Sequence, residues 1–243
     1  MSEYENIQEL ADLVSTLRQL DTGFQVFGAK RKRDWGHDYM FNPCVDRRDI
    51  DVFEQKNGLV LPEDYREFLL CVGNGGAGPY YGIKTLQTAS DEDSELGKPF
   101  PWSEETPSET CWEEGGSWVG SLVLSEQGCG YTSFLVVRGQ QYGQVWDDFL
   151  SGDGPLVPTG LTFYAWYRNW AERCIKTIQR VPLLDQVELG MPLQTACRIL
   201  GEDSEQWEGQ SPDDIYMRFR HSNATFRIAQ NGTIRSIQRM PIA

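Results

Sequence analysis

A sixteen-residue block, residues 61–76, constrains the fold of this chain more than any other stretch. Residues 61–64 (LPED) place a proline and two acids in the first turn of a helix, where a missing N–H is tolerated and the helix dipole favours negative charge. Tyr65, Phe68 and Leu69 then recur at helical spacing. Residues 73–76 (GNGG) end the helix, because glycine adopts the left-handed backbone conformation readily. The block therefore predicts a short amphipathic helix that stops abruptly.

Further helices and strands are predicted on both sides of this block. Apolar spacing predicts a helix over residues 5–20, and a second helix begins after Asp46 and ends at Asn57-Gly58. A long helix begins near Thr162 with an aromatic stripe that is typical of a buried core. Runs of apolar or alternating residues predict four strands: Tyr80–Leu86, Trp118–Leu124, Ser133–Arg138 and Gln144–Asp147.

The C-terminal part reads as a separate module. Val181-Pro182 is expected to break the long helix, so the predicted domains are residues 1–182 and 183–243. The pattern after residue 183 predicts a small β-α-β-β-β module, with Asn231-Gly232 as a type I′ hairpin turn. Its helix and last three strands are expected at Thr195–Leu200, Ile215–Arg220, Ala224–Ala229 and Thr233–Gln238.

The net charge of −14 is distributed unevenly along the 243 residues. From Lys176 onward, eight acidic residues balance eight basic ones, so the excess lies earlier in the chain. Residues 88–117, which we call the acidic segment, hold nine acidic residues and only Lys98 as a base. Such a surface disfavours phosphate backbones and favours a basic partner, so direct nucleic-acid binding is not expected.

The acidic segment is the predicted partner-binding site. Tryptophans are interleaved with its carboxylates, and aromatic anchors within a field of one sign are typical of fast, tight protein interfaces. A solvated loop is the competing interpretation, and a calcium loop is disfavoured because the EF-hand glycine and distal glutamate are missing. The candidate site residues are Asp91, Glu92, Asp93, Trp102, Glu104, Glu105, Glu109, Trp112, Glu113 and Glu114.

No catalytic constellation is recognisable. Residues 73–78 match G-x-G-x-x-G, but they follow a helix and precede a strand, whereas a dinucleotide site needs the reverse order. Cys129 with His37 as its base is a conceivable nucleophile pair, yet nothing in the sequence links the two. Six irregularly spaced cysteines and two histidines make a zinc site improbable. We therefore predict a protein that is not an enzyme and has neither cofactor nor metal.

The chain carries no recognisable export or membrane signal. The first ten residues lack the basic and apolar regions of a signal peptide, and no apolar run reaches the ~18 residues of a membrane span. We expect a cytoplasmic protein with reduced, mostly buried cysteines, although three disulfides would also satisfy the count. The basic run Lys30–Arg33 is interpreted as solvated, with an import signal or phosphate site as alternatives.

An ordered series of motifs over residues 46–175 resembles the SUKH superfamily, which includes Smi/Knr-type fungal cell-wall regulators, the Syd protein and many bacterial immunity proteins. The motifs are Ile50-x-x-Phe53-Glu54, Gly58-x-x-Leu61-Pro62-Glu63-Asp64-Tyr65-x-x-Phe68-Leu69, Asn74-Gly75-Gly76, Gly128-x-Gly130 and Gly143-x-Val145-Trp146. The positions that match the family pattern, interpreted as fold determinants, are Leu61, Pro62, Tyr65, Phe68, Gly75, Gly76 and Trp146. The C-terminal segment is loosely similar to small SmpA-like or inhibitor-like modules.

The resemblance implies an α+β fold, with helices packed on a mainly antiparallel sheet, and no catalysis. In bacteria it implies an immunity protein that neutralises a toxin, often a nuclease of the polymorphic or contact-dependent kind. We predict that the acidic segment covers such a basic toxin. The alternatives are a regulatory or scaffold protein of the Smi/Knr or Syd kind and an enzyme of unrecognised chemistry. Oligomeric state is not predicted.

Overall fold

The computed structural model describes residues 7–31, 35–90, 95–103, 105–106, 110–111, 118–201, 205–208 (backbone only at 206–208), 215–219 and 222–242. The chain divides into two compact units. Unit 1 comprises Met1–Gln19 and Phe27–Glu172, and unit 2 comprises Leu20–Val26 and Arg173–Ala243. This division differs from the predicted boundary at residue 182, and an independent C-terminal domain stays a prediction. No helix in the described ranges is long and apolar enough to cross a membrane.

Helices of unit 1 begin and end where the sequence provides caps and stops. The helices are α1 (Gln8–Leu20), α2 (Arg47–Asn57), α3 (Glu63–Cys71), α4 (Leu86–Ala89) and the first part of α5 (Phe163–Leu184). Helix α2 ends at Gly58, whose φ of 61° lies in the left-handed region, as the sequence predicts. The Asp46 side chain, however, makes no capping hydrogen bond at the start of α2.

A buried carboxylate joins the beginnings of α3 and α5. Asp64 accepts hydrogen bonds from the backbone N–H of Tyr65 at 2.8 Å and from that of Tyr164 at 2.9 Å. The second bond satisfies a donor in the first turn of α5 that has no partner within the helix. Burial raises the pKa of Asp64, and these hydrogen bonds lower it.

Aromatic side chains fill the space between α3 and α5. The ring of Phe163 lies 4.9 Å from that of Tyr65 and 5.0 Å from that of Phe68, measured between centroids. Tyr167 is fully buried and donates its hydroxyl to the carbonyl oxygen of Ala77 at 2.7 Å. The aromatic stripe of α5 is thus core, as predicted.

The sheet of unit 1 is a four-stranded antiparallel meander in the order β1-β2-β3-β4. Its strands are β1 (Ser121–Gly128), β2 (Tyr131–Val136), β3 (Gln144–Asp148) and β4 (Leu156–Thr162). Because side chains alternate between faces, Leu135 and Val145 share one face, while Phe134 and Trp146 share the other. All four side chains are fully buried. The predicted α+β class is confirmed.

The glycine-rich loop after α3 needs glycine because neighbouring backbone comes too close for a side chain. Gly75 and Gly76 have φ angles of 77° and 100°. A Cβ at Gly75 would lie 2.4 Å from the Ile83 carbonyl oxygen, and one at Gly76 would lie 2.5 Å from that of Met40. These glycines therefore serve as a helix stop and a close backbone crossing, as the sequence analysis proposed.

Unit 2 contains a helix and a second antiparallel sheet. Helix α6 (Leu193–Leu200) ends at Gly201, with a φ of 59°, and the strands pair in the order β5-β6-β7-β8. The strands are β5 (Glu205–Glu208), β6 (Ile215–Phe219), β7 (Ala224–Ile228) and β8 (Ile234–Arg239). Phe219 and Phe226 lie in its core, with ring centroids 4.6 Å apart.

Several local predictions were wrong. Residues 80–86 form no regular strand: Tyr81 and Lys84 each donate one backbone hydrogen bond to β1, and α4 begins at Leu86. Pro182 does not break the long helix, because it lies inside α5, which continues to Leu184. Strands β4 and β5 were missed, and no strand lies between α5 and α6, so the order after α5 is α-β-β-β-β and not the predicted β-α-β-β-β.

The β7–β8 turn also differs from its prediction. Gly232 has a positive φ of 79°, but Asn231 is not among the residues with positive φ, so the turn is not type I′. Ala229 instead accepts from the N–H of Gly232 and donates to the Thr233 carbonyl, both at 2.8 Å. The connection is therefore a longer hairpin loop with a left-handed glycine near its end.

Replacing Asp64 by alanine is expected to destabilise the fold. Asp64→Ala leaves the N–H groups of Tyr65 and Tyr164 without their acceptor, and loss of such a capping carboxylate lowers the free energy of unfolding by about 1–3 kcal/mol. Asp12→Ala, which removes an exposed carboxylate from α1, is the matched control. Urea denaturation measures both, and equal stability of Asp64→Ala and wild type would contradict the role of Asp64.

Acid should destabilise unit 1 through His37. Burial lowers the pKa of His37 to about 4, and its Nδ1 accepts the Tyr39 N–H at 3.0 Å. Because the unfolded chain binds this proton below about pH 6.5 and the folded chain only near pH 4, stability falls as the pH drops through that window, by about 3 kcal/mol in all. In His37→Asn this part of the pH dependence disappears. Urea unfolding at pH 7, 5.5 and 4.5 measures the difference, and an identical slope in both proteins would contradict it.

Candidate functional site

The acidic segment is attached to the sheet by its apolar residues. Phe100, Trp102 and Cys111 are buried in a cluster with Phe134 and Trp146. The Phe100 ring centroid lies 5.2 Å from that of Trp146. The backbone N–H of Phe100 donates to the Arg138 carbonyl oxygen at 2.9 Å. The acidic segment is therefore fixed at these points against the face of the sheet that carries Trp146.

Trp102 is a core residue, so the prediction that it anchors a partner was wrong. Its side chain is only 7 % exposed, which leaves almost no surface for a partner to bury. The charged neighbours of Trp102 in the sequence favour an exposed side chain, which the structure contradicts. The signal that was overlooked is Pro99-Phe100-Pro101-Trp102, a short apolar run that suits burial.

Most of the predicted carboxylates fall outside the described residues. Glu105 is described, and it is exposed, so it can face a partner. Glu95, also in the acidic segment, forms an exposed ion pair with Lys98 at 2.6 Å. The predicted residues that lie outside the described ranges are Asp91, Glu92, Asp93, Glu104, Glu109, Trp112, Glu113 and Glu114.

The family-motif residues are buried parts of the scaffold. Leu61, Tyr65, Phe68 and Trp146 are each at most 1 % exposed. Pro62 is buried immediately before the first residue of α3. Together with Gly75 and Gly76, these positions build the fold rather than a surface for partners, as the sequence analysis proposed.

The structure does not bring Cys129 and His37 together as a catalytic pair. Cys129 is exposed on the turn between β1 and β2, with a φ of 55°. His37 is buried beside Trp170, and the lone pair of its Nδ1 accepts the Tyr39 N–H. A buried imidazole with this nitrogen occupied is not positioned to take a proton from an exposed thiol.

The structure shows the bonding and burial of the cysteines and the placement of potential metal ligands. None of the six cysteines forms a disulfide, and the prediction that most are buried was wrong. Cys111 and Cys174 are buried, whereas Cys44, Cys71 and Cys129 are exposed. Within the described residues, no group of three or more His, Cys, Asp or Glu side chains is placed to hold a metal ion.

A shallow groove of about 580 Å³ runs between the α2–α3 loop and the β2–β3 loop. Its charged side chains are already engaged: Arg138 donates to the Gly58 carbonyl, and Glu54 accepts from the Leu61 N–H at 2.8 Å. The Tyr142 hydroxyl donates to the Val60 carbonyl at 3.2 Å, and burial raises the pKa of Tyr142. These bonds join the two loops and leave no charged group free for chemistry.

Two variants separate the structural and exposed residues of the acidic segment. Trp102→Ala empties a packed site and is expected to cost about 3–5 kcal/mol of unfolding free energy. Glu105→Ala removes an exposed carboxylate and should change that free energy by less than about 0.5 kcal/mol. Thermal or urea unfolding measures both. Equal, small effects would mean that Trp102 is not packed as the structure has it.

Comparison with known proteins agrees with the fold. The family model described as the SMI1 / KNR4 family (SUKH-1) matches residues 44–169, just over half of the chain, and this range holds α2, α3, the sheet of unit 1 and the start of α5. No curated protein and no solved structure gives a match. The chain therefore belongs to the SMI1 / KNR4 family (SUKH-1), whose members generally serve immunity or regulation without catalysis.

Proposed function

We propose that this chain is a cytoplasmic immunity protein that binds a basic toxin, of the nuclease class, and blocks its active site with the acidic segment. Family membership supports a non-catalytic role in immunity or regulation. The observation that carries the finer proposal is the location of the charge. The acidic segment holds nine carboxylates in thirty residues, within the family-matched part of the chain.

The two units differ in net charge. Unit 2 contains nine acidic and nine basic residues and is neutral, so the whole net charge of −14 belongs to unit 1. A surface with one sign of charge attracts an oppositely charged partner over about a Debye length, ~10 Å at 0.1 M salt. Unit 1 is therefore the part of the chain that suits a basic partner.

Occlusion and charge mimicry are the proposed mechanism. A nuclease surface that binds phosphates is basic, and the carboxylates of the acidic segment would compete for the same cationic side chains. The buried anchors Phe100 and Trp102 support this mechanism, because they tie the acidic segment to a rigid sheet. A segment held in this way loses less conformational entropy on binding than a free loop does.

A regulatory or scaffold role of the Smi/Knr or Syd kind is the second proposal. The observation that favours it is unit 2, a neutral part with its own core that lies entirely outside the family-matched residues 44–169. An occluding immunity protein does not need such a part. A cellular partner that binds unit 2, in cells that make no toxin, would support this alternative.

The test is co-expression with a candidate nuclease toxin encoded near the gene of this chain. Wild type should rescue growth, and a variant with Glu104, Glu105, Glu113 and Glu114 changed to lysine should not. A control variant carries lysine at four exposed acids elsewhere: Asp12, Asp153, Glu172 and Glu188. It changes the net charge equally and should retain rescue.

Binding kinetics give the second readout. The association rate of wild type with the purified toxin should fall by about tenfold or more between low salt and 0.5 M salt. The variant with four reversals in the acidic segment should associate slowly at every salt concentration. Equal rescue and equal association rates for wild type and that variant would overturn the assignment to the acidic segment.

A further inference from the structure

A half-buried carboxylate lies at one end of the sheet of unit 1. Oδ1 of Asp147, on β3, accepts hydrogen bonds from the Ser133 hydroxyl at 2.6 Å and from the Gln127 side-chain amide at 2.7 Å. Gln127 also donates to the Ser133 hydroxyl at 2.8 Å. These neutral donors from β1 and β2 fix the orientation of the carboxylate.

The negative charge of Asp147 has no cationic partner within the described part of the chain. The groups that act on it are the two neutral donors, and no Lys or Arg forms an ion pair with it there. Burial raises the pKa of Asp147, and the two hydrogen bonds lower it. A partly buried charge without a counter-charge is costly to a fold, so a cation supplied from outside would be bound favourably.

Aromatic rings stand beside Gly128, the residue that follows the Gln127 whose side chain holds the carboxylate. A bulge in β1 places Gln127 and Gly128 opposite Tyr131, and the ring of Tyr81 lies 3.6 Å from the position that a Cβ would take at Gly128. The Tyr81 ring centroid is 5.3 Å from that of Trp35, which is 54 % exposed. Phe27 lies on the other side of Tyr81, at 5.1 Å.

We propose that these residues bind an arginine side chain of the basic partner. The Asp147 patch is formed by Phe27, Trp35, Tyr81, Gln127, Ser133 and Asp147. The proposal rests on the proposed function, because that function supplies a partner rich in cationic side chains. It adds a second contact, at a place outside the acidic segment.

The chemistry of the patch suits a guanidinium group better than an ammonium group. A guanidinium is planar, stacks on aromatic faces and donates in a fork that matches a carboxylate. Oδ1 of Asp147 is held by Gln127 and Ser133, so the carboxylate is already oriented before the cation arrives. Fixed groups of this kind lose little entropy on binding.

The experiment uses acetyl-arginine amide as the probe and acetyl-citrulline amide as its neutral analogue. Titration of the full chain is followed by NMR at the Trp35 indole N–H and the Gln127 side-chain amide. Arginine should shift both signals in a saturable way, and citrulline should shift neither. Asp147→Asn should weaken arginine binding at least tenfold, and Trp35→Ala should weaken it about two- to fivefold.

Asp153→Asn is the matched control, because it removes one exposed carboxylate just after β3. It should bind arginine as wild type does. Equal shifts with citrulline, unchanged binding in Asp147→Asn, or arginine shifts confined to other residues would each overturn the proposal. Asp147→Asn keeps an oxygen acceptor for Gln127 and Ser133, and Trp35 is exposed, so both variants are expected to fold.

The two proposals fail in different ways. If Asp147→Asn binds the toxin as wild type does while the four reversals in the acidic segment abolish binding, the Asp147 patch is wrong and the proposed function stands. If arginine binds at Asp147 but the chain binds no toxin, the patch stands and the proposed function is wrong.

Discussion

The buried carboxylate of Asp64 is the interaction on which the rest of unit 1 depends. It holds the N-terminus of α5 against that of α3, so that Phe163 meets Tyr65 and Phe68. Further contacts join helix α5 to the glycine-rich loop and that loop to β1. The hydroxyl of Tyr167 fixes the glycine-rich loop at Ala77, and the segment after that loop donates hydrogen bonds to β1. An unpaired edge of a sheet invites association with other chains, and this segment covers part of the β1 edge.

Unit 1 contains both groups of negative charge that we propose a partner meets. The acidic segment is bound to the sheet through Phe100 and Trp102, and Asp147 lies at the end of the same sheet, held by Gln127 and Ser133. The buried side chains and the binding groups therefore have separate tasks. The former attach the acidic segment to the sheet, and under the proposed function the latter supply the electrostatic attraction to a partner. A family whose members generally act without catalysis can change its partners by changing surface groups while the core stays the same.

The sequence predicted those elements whose signals are local. Helix α2 and its stop at Gly58, helix α3, and the glycine crossing at Gly75 and Gly76 each follow from caps, spacing or backbone freedom. Elements and side chains whose placement depends on residues far away in the sequence could not be predicted in this way. Strand β4 contains Pro158 and Gly160, which disfavour a strand, and it forms because β3 pairs with it. Trp102 was misplaced because its burial depends on Phe134 and Trp146, which lie more than thirty residues away. Asp147 was missed because its donors come from two other strands.

The central claim is that unit 1 meets a basic partner through its negative charges, and the most direct measurement is hydrogen–deuterium exchange of the toxin-bound chain. Peptides from residues 88–117 and from the end of the sheet near Asp147 should become protected on binding. Peptides from the neutral unit 2 should exchange at the same rate with and without the toxin. Protection confined to unit 2, with residues 88–117 unchanged, would contradict the account.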